Sequence, residues 1–149
     1  EPFIKKLTKE NFDELIMMMG KNYCMNVIDK KITYLSLMTN VFFNIEKIID
    51  VPKEAFNPSP RVTSCLVRLT PKKELTKIEE LFQKIYNLDH KKCKNAIIES
   101  LIIRDNLTQK EAKEIVNGLN IDETILNKPF SLIKNEELET LYNKLLQNN

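Results

Sequence analysis

The sequence predicts an α/β unit followed by an all-α unit, with the boundary after residue 71. Three observations carry this. Helical and strand-like stretches alternate up to Leu69, the order that lays helices on the faces of a sheet. A polar hinge, Pro71-Lys72-Lys73-Glu74, follows. Beyond the hinge the apolar spacing is helical only. Residues 1–71 and 72–149 are therefore expected as two domains. The first offers only about three strands, where an α/β sheet usually has about five or six. Its sheet is expected to be incomplete.

Residues 1–11 (EPFIKKLTKEN) predict a short helix with Phe3, Ile4 and Leu7 on its inner face. Residues 14–19 (ELIMMM) are too short for a lone helix and fit a buried strand of a parallel sheet, with Met17, Met18 and Met19 as core filling. Gly20 is expected to let the chain turn out of the sheet. A helical turn or two follows over residues 21–29. Residues 32–43 mix two signals. The spacing of Leu35, Met38 and Phe42 favours a helix, while the β-branched content favours a strand. A helix is preferred there, followed by a strand over residues 44–51. Ile45, Lys47, Ile49 and Val51 then share one face of that strand, with Glu46, Ile48 and Asp50 on the other.

Four of the six prolines fall between Val51 and Pro71. Each fixes its own φ and biases the preceding residue away from helix, so residues 52–60 predict a stiff, extended loop. Phe56 stands on it without periodicity to bury it. The loop feeds a strand over residues 62–69, where Arg68 alternates with apolar positions. Past the hinge, Thr76-Lys77-Ile78-Glu79 is a capping box that opens a helix with Ile78, Leu81, Phe82, Ile85 and Leu88 inward. Residues 91–103 form a second helix. Thr108-Gln109-Lys110-Glu111 caps a third, with Gly118 as its expected C-cap. A short turn over residues 122–126, a break at Pro129 and an amphipathic helix over residues 136–147 complete the chain. Tyr34, Tyr86 and Tyr142 lie on apolar faces and are assigned to the core.

With 42% hydrophobic residues the chain can bury a core. No apolar run approaches the roughly 18 residues of a membrane span, and no secretory signal leads the chain. Cys24, Cys65 and Cys93 are odd in number and form no C-x-x-C, which predicts a reduced, cytoplasmic protein. His90 and Cys93 stand at i, i+3 but have no second pair to complete a zinc site. His90 is the only histidine, so no Ser/His/Asp or Cys/His nucleophile pattern is supported. A net charge of +2 does not by itself mark a nucleic-acid binder. Its distribution is more informative: Lys84, Lys91, Lys92 and Lys94 surround Asp89 and His90. That patch reads either as a solvated helix start or as an RNA contact, and charge alone favours the first.

The stretch Phe56-Asn57-Pro58-Ser59-Pro60-Arg61-Val62-Thr63-Ser64, with Val51-Pro52 before it and Val67-Arg68-Leu69 after it, resembles the F-x-P-x-P-[KR]-V-x-S signature of the ribosomal RNA adenine N6,N6-dimethyltransferases. Erythromycin-resistance methyltransferases share that motif. Further resemblance runs along the chain. Residues 1–7 are similar to the helix after the family's catalytic Asn-[Leu/Ile]-Pro-Tyr. Gly20-Lys21-Asn22-Tyr23 stands where the family has Gln-Lys-Glu-Phe, and keeps only the lysine. Ile32-Thr33-Tyr34-Leu35-Ser36 stands where it has Tyr-Gly-Arg-Leu-Ser. Leu88-Asp89-His90-Lys91-Lys92 and Lys128-Pro129-Phe130-Ser131-Leu132 resemble segments of the family's small helical domain. The texture is nearest to archaeal members.

The resemblance implies the last strands of a Rossmann-like methyltransferase sheet plus a helical RNA-recognition domain. It implies S-adenosyl-L-methionine as methyl donor, small-subunit rRNA or an immature ribosomal subunit as partner, and a monomeric protein. It assigns Phe56 to stacking on the target adenine, and makes Arg61, Lys91, Lys92 and Lys94 candidates for RNA contact. The sequence holds no G-x-G-x-x-G loop and no Asn-Pro-Pro-Tyr-like segment. The donor site is therefore expected outside this chain, which alone should be inactive. Two alternatives remain open: a non-catalytic RNA- or ribosome-binding relative, and an unrelated α/β interaction domain.

Overall fold

In the computed structural model, which describes residues 2–149, the order is α/β and then helical, as the sequence predicts. Glu1, where the expected first helix starts, lies outside the described residues. The elements are α1 (Pro2–Leu7), β1 (Leu15–Gly20), α2 (Lys21–Ile28), α3 (Tyr34–Phe42), β2 (Phe43–Val51), β3 (Ser64–Pro71), α4 (Lys77–Asn87), α5 (Cys93–Asp105), α6 (Gln109–Gly118), α7 (Glu123–Asn127) and α8 (Asn135–Gln147). Two compact units result. One comprises Leu35–Lys73 and the described residues up to Lys31; the other comprises Ile32–Tyr34 and Glu74–Asn149.

The sheet of the first unit has the order β1-β3-β2, and β3 pairs antiparallel with both neighbours. β1 and β2 thus run the same way on either side of a reversed strand. This corrects the expectation that β1 pairs in a parallel ladder. One face is closed: Cys65, Val67 and Leu69 are fully buried, and Met19, Cys24 and Val27 join them. Helix α2 packs on that face against all three strands. Asn40 Nδ2 donates to Val27 O at 2.9 Å and ties α3 to α2.

The opposite face is bare. Met18 pairs with Leu66, which pairs with Ile49, and Ile16 lies one row away opposite Arg68. Residues directly opposite in antiparallel strands share a face. Ile16, Met18 and Ile49 are 49%, 46% and 58% exposed. The uniform apolar run of β1 was expected to be buried on both sides; only Met19 is, and Met18 is not core filling. The alternation expected for β2 also fails, because a bulge at Ile48 separates the pairs Lys47–Val67 and Ile49–Leu66. One extra residue sends Ile49 to the bare face. Phe3, expected inward, is exposed, while Ile4 is buried.

The helical unit closes on itself. Phe82, Phe130, Leu81, Ile85, Ile97, Leu138, Leu141 and Leu145 are all fully buried or nearly so. Both predicted capping boxes form: Thr76 and Thr108 accept from the N–H groups of Glu79 and Glu111, whose carboxylates accept in return. Gly118 is not a left-handed cap. No glycine has positive φ, and the reversal after α6 falls on Asn120 (φ 52°), where Lys144 Nζ donates to the carbonyls of Leu119 and Asn120. Tyr34, Tyr86 and Phe130 form an aromatic cluster with ring centroids 5.1–5.6 Å apart. The Tyr34 hydroxyl donates to Asp89 Oδ2 at 3.1 Å, and the Tyr86 hydroxyl donates to Tyr34 O at 2.7 Å.

Candidate functional site

Three strand ends meet at one end of the sheet. Val51 closes β2, Ser64 opens β3 opposite it, and Gly20 ends β1 on the other side of Ser64. The loop over residues 52–63 spans this end. It is not extended throughout, because Lys53–Ala55 make a 3-10 turn after Pro52. The Ser59 hydroxyl donates to Lys53 O at 2.9 Å and closes the loop on that turn. Phe56 follows the turn in an extended conformation (φ −114°, ψ 148°), half-buried, and its ring makes no aromatic contact among the described residues. Arg61 is exposed and forms no ion pair there. The loop therefore holds an aromatic surface and a free cation on a short tether.

Beside it lies an open cleft of about 290 Å³ lined by Gly20, Lys21, Asn22, Val62 and Thr63. The Lys21 N–H donates to Thr63 O at 2.9 Å, which fixes the start of α2 against the start of β3. Gly20 sits at φ −59°, ψ 139°, which any residue can adopt, so the turn out of the sheet does not need a glycine.

The candidate lysines belong to the helical unit and differ from one another. Lys91 Nζ donates to both carboxylate oxygens of Glu99, at 2.7 and 2.6 Å. Lys84 pairs with Glu80 at 3.4 Å. Lys92 precedes α5, with its backbone bridged to Pro129 and its side chain exposed. Lys94 is half-buried on the first turn. Neither Lys92 nor Lys94 forms an ion pair among the described residues. The basic patch thus narrows to these two cations with His90 exposed beside them, while Asp89 is buried against Tyr34. Arg68, which alternates with apolar positions on β3, lies 3.0 Å from Glu14 and 3.1 Å from Glu46.

Neither Cys24 nor Cys93 is an activated nucleophile. Burial, with Cys65 beside it, pushes the Cys24 thiol up to about 12, and burial pushes Cys93 up to about 11, so both stay protonated at neutral pH. Among the described residues no group of three His, Cys, Asp or Glu side chains comes together, and no helix is long and apolar enough to cross a membrane. Sequence reasoning missed Lys21 and Asp89 as structural participants. Lys21 was read only as the residue kept from the family's Gln-Lys-Glu-Phe, with no contact assigned to it. Asp89 stood in a polar run without periodicity, and nothing there signals burial.

A model of the family described as "Ribosomal RNA adenine dimethylase" matches residues 1–138. A "Probable ribosomal RNA small subunit methyltransferase A" of Methanococcus vannielii is 30% identical, over 99% of this chain and 58% of its own length. The protein of the same name from Pyrococcus abyssi is 29% identical, over 79% of this chain and 46% of its length. The chain spans about half the length of the curated relatives it matches. Among solved structures, a dimethyladenosine transferase from Plasmodium falciparum is similar with TM-score 0.47 and 17% identity, over 98% of this chain and 63% of the other. The observed order of elements agrees with the expected fold class, a Rossmann-like methyltransferase sheet followed by a small helical domain. By the match over nearly its whole length, the chain belongs to the ribosomal RNA adenine dimethylase family.

Proposed function

We propose that this chain is the C-terminal part of an rRNA adenine N6-dimethyltransferase, cytoplasmic and monomeric, which binds small-subunit rRNA and walls the target-base pocket. Chemistry on the N6 amine needs the adenine out of its stack, and a flipped base is held by an aromatic face worth roughly 1–3 kcal/mol. The observation that carries the proposal is Phe56. It is the aromatic of the family signature, and it stands on the loop at the end of the sheet without a ring partner. Arg61 on the same loop, and Lys92 and Lys94 on the helical unit, are the free cations for phosphate. Lys91 is held by Glu99 and serves the fold first.

The family's methyl donor is S-adenosyl-L-methionine, and the residues present do not fit it. The only two glycines, Gly20 and Gly118, have ordinary backbone angles and are far apart in sequence, so they make no glycine-rich cradle. The bare sheet face supports a donor site in sequence that completes the sheet, since contiguous apolar exposure marks an unfilled interface. The test pairs two measurements. RNA carrying unpaired adenosines should bind the chain, and Phe56→Ala should weaken that binding by about tenfold or more. Labelled S-adenosyl-L-methionine should give no methyl incorporation into immature small-subunit RNA by this chain alone. Incorporation would overturn the partial-enzyme reading, and an unchanged affinity in the variant would overturn the base-stacking role.

One observation favours a non-catalytic relative. Tyr34 stands where the family pattern has arginine, and its hydroxyl is engaged by buried Asp89 rather than offered to a ligand. Methyl transfer by the protein with its sheet completed decides this: robust incorporation removes the non-catalytic reading.

A further inference from the structure

The cleft at the end of β1 has a composition that the Phe56 reading leaves unused. Among the described residues its lining holds one cation, one amide and one hydroxyl residue, and the nearest carboxylate to that cation is Asp50. Lys21 is about half exposed and touches Asp50 only at 3.8 Å. Asp50 has a nearer partner: Lys47 Nζ reaches both of its carboxylate oxygens at 3.4 Å. Lys21 can therefore swing to another anion without leaving Asp50 uncompensated, and an exposed pair of this kind holds it only weakly. At about 290 Å³ the cleft sits at the lower bound of small-ligand sites, roughly 300 Å³. That is room for one sugar-phosphate unit and not for a large cofactor. Val62 and Thr63 line it, and the same loop carries Arg61 and Phe56.

We propose that Lys21 and this cleft hold a backbone phosphate of the RNA strand whose adenine stacks on Phe56. Lys21 is then a positioning residue that sets the register of the strand over the loop. The proposal rests on the reading of Phe56 as base platform and adds to it an electrostatic contact at a second element, the start of α2.

The two contacts have different salt signatures. Each phosphate contact adds about 0.7 to the slope of log affinity against log salt for a single strand, and stacking adds none. The probe is a short single-stranded oligoribonucleotide containing adenosines, titrated into the chain by fluorescence anisotropy across a salt series. Lys21→Gln should weaken binding several-fold at low salt and make the slope shallower by about 0.7. Lys21→Arg should restore both. Phe56→Ala should weaken binding and leave the slope as it was. A Lys21→Gln slope equal to that of the unmodified chain overturns the phosphate contact, even if affinity falls. If Phe56→Ala has no effect while Lys21→Gln flattens the slope, the Phe56 reading fails and the phosphate contact is supported by itself. No binding by the unmodified chain overturns both.

Discussion

The two units of this protein satisfy their apolar surface in different ways. The helical unit buries large side chains from α4, α5 and α8, and caps α4 and α6 with reciprocal Thr–Glu hydrogen bonds. The sheet unit fills one face with Cys65, Val67 and Leu69 and leaves Ile16, Met18 and Ile49 open on the other. Helices carry their backbone hydrogen bonds internally, so a few of them can complete a core by side chains alone. A sheet has two faces and two edges, and three strands with helices on one side leave the rest unmet. The difference teaches where added apolar surface can pack: on the open face of the sheet unit, not in the filled core of the helical one.

That contrast can be broken or sharpened by substitution, and the largest effect is expected in the helical core. Phe130→Ala removes a fully buried ring that touches Tyr34 and Tyr86. It should cost about 3–5 kcal/mol in denaturant unfolding followed by circular dichroism. Next come the two faces of the sheet. Leu69→Ala on the filled face should cost about 2–5 kcal/mol, whereas Met18→Lys on the bare face should stay within about 0.5 kcal/mol. Comparable losses from both would show that the bare face is already covered. A smaller effect is expected at the caps. Thr108→Ala should destabilise α6 by about 0.5–2 kcal/mol, read by the same unfolding experiment.

The smallest expected effect is a pH dependence of the helical unit. Hydrogen bonds from Thr108 hold the Glu111 carboxyl below its usual range, Thr124 does the same for Asp122, and Lys128 with the Lys134 N–H does so for Glu137. A carboxyl depressed in the folded state stabilises above its unfolded value, about 4.3 for glutamate, and that contribution is lost as pH falls toward the folded value. Melting curves should therefore shift downward below about pH 4.3. Glu111→Gln should make the shift smaller; an identical shift would show that its carboxylate carries none of it.

The helices were legible because their signals are local. Thr76 and Thr108 with glutamate three residues on announce both caps, and Leu138, Leu141 and Leu145 keep one stripe. The sheet was less legible because its burial depends on what lies across it. An apolar run such as residues 15–19 does not say which of its faces is filled. Nor does β2 reveal in its residues the bulge at Ile48, which arises only in pairing with β3. Gly118 resembled a cap, yet Asn120 takes the left-handed position, as asparagine can at little cost. For the candidate site, Phe56 and Arg61 were readable from the signature. The engagement of Lys91 by Glu99 eight residues later was not, since that spacing matches no single-helix pair.

The bulge at Ile48 gives the sheet a direction of growth. β2 meets solvent with Glu46, Lys47 and Asp50 around an irregular register, which discourages a further strand. β1, with no charged residue among Leu15–Gly20, presents a regular edge. The sheet is therefore finished on one side and receptive on the other, and any strand that extends it is directed to β1. A charge placed on that receptive strand, as in Met18→Lys, should therefore act as a solubilising guard.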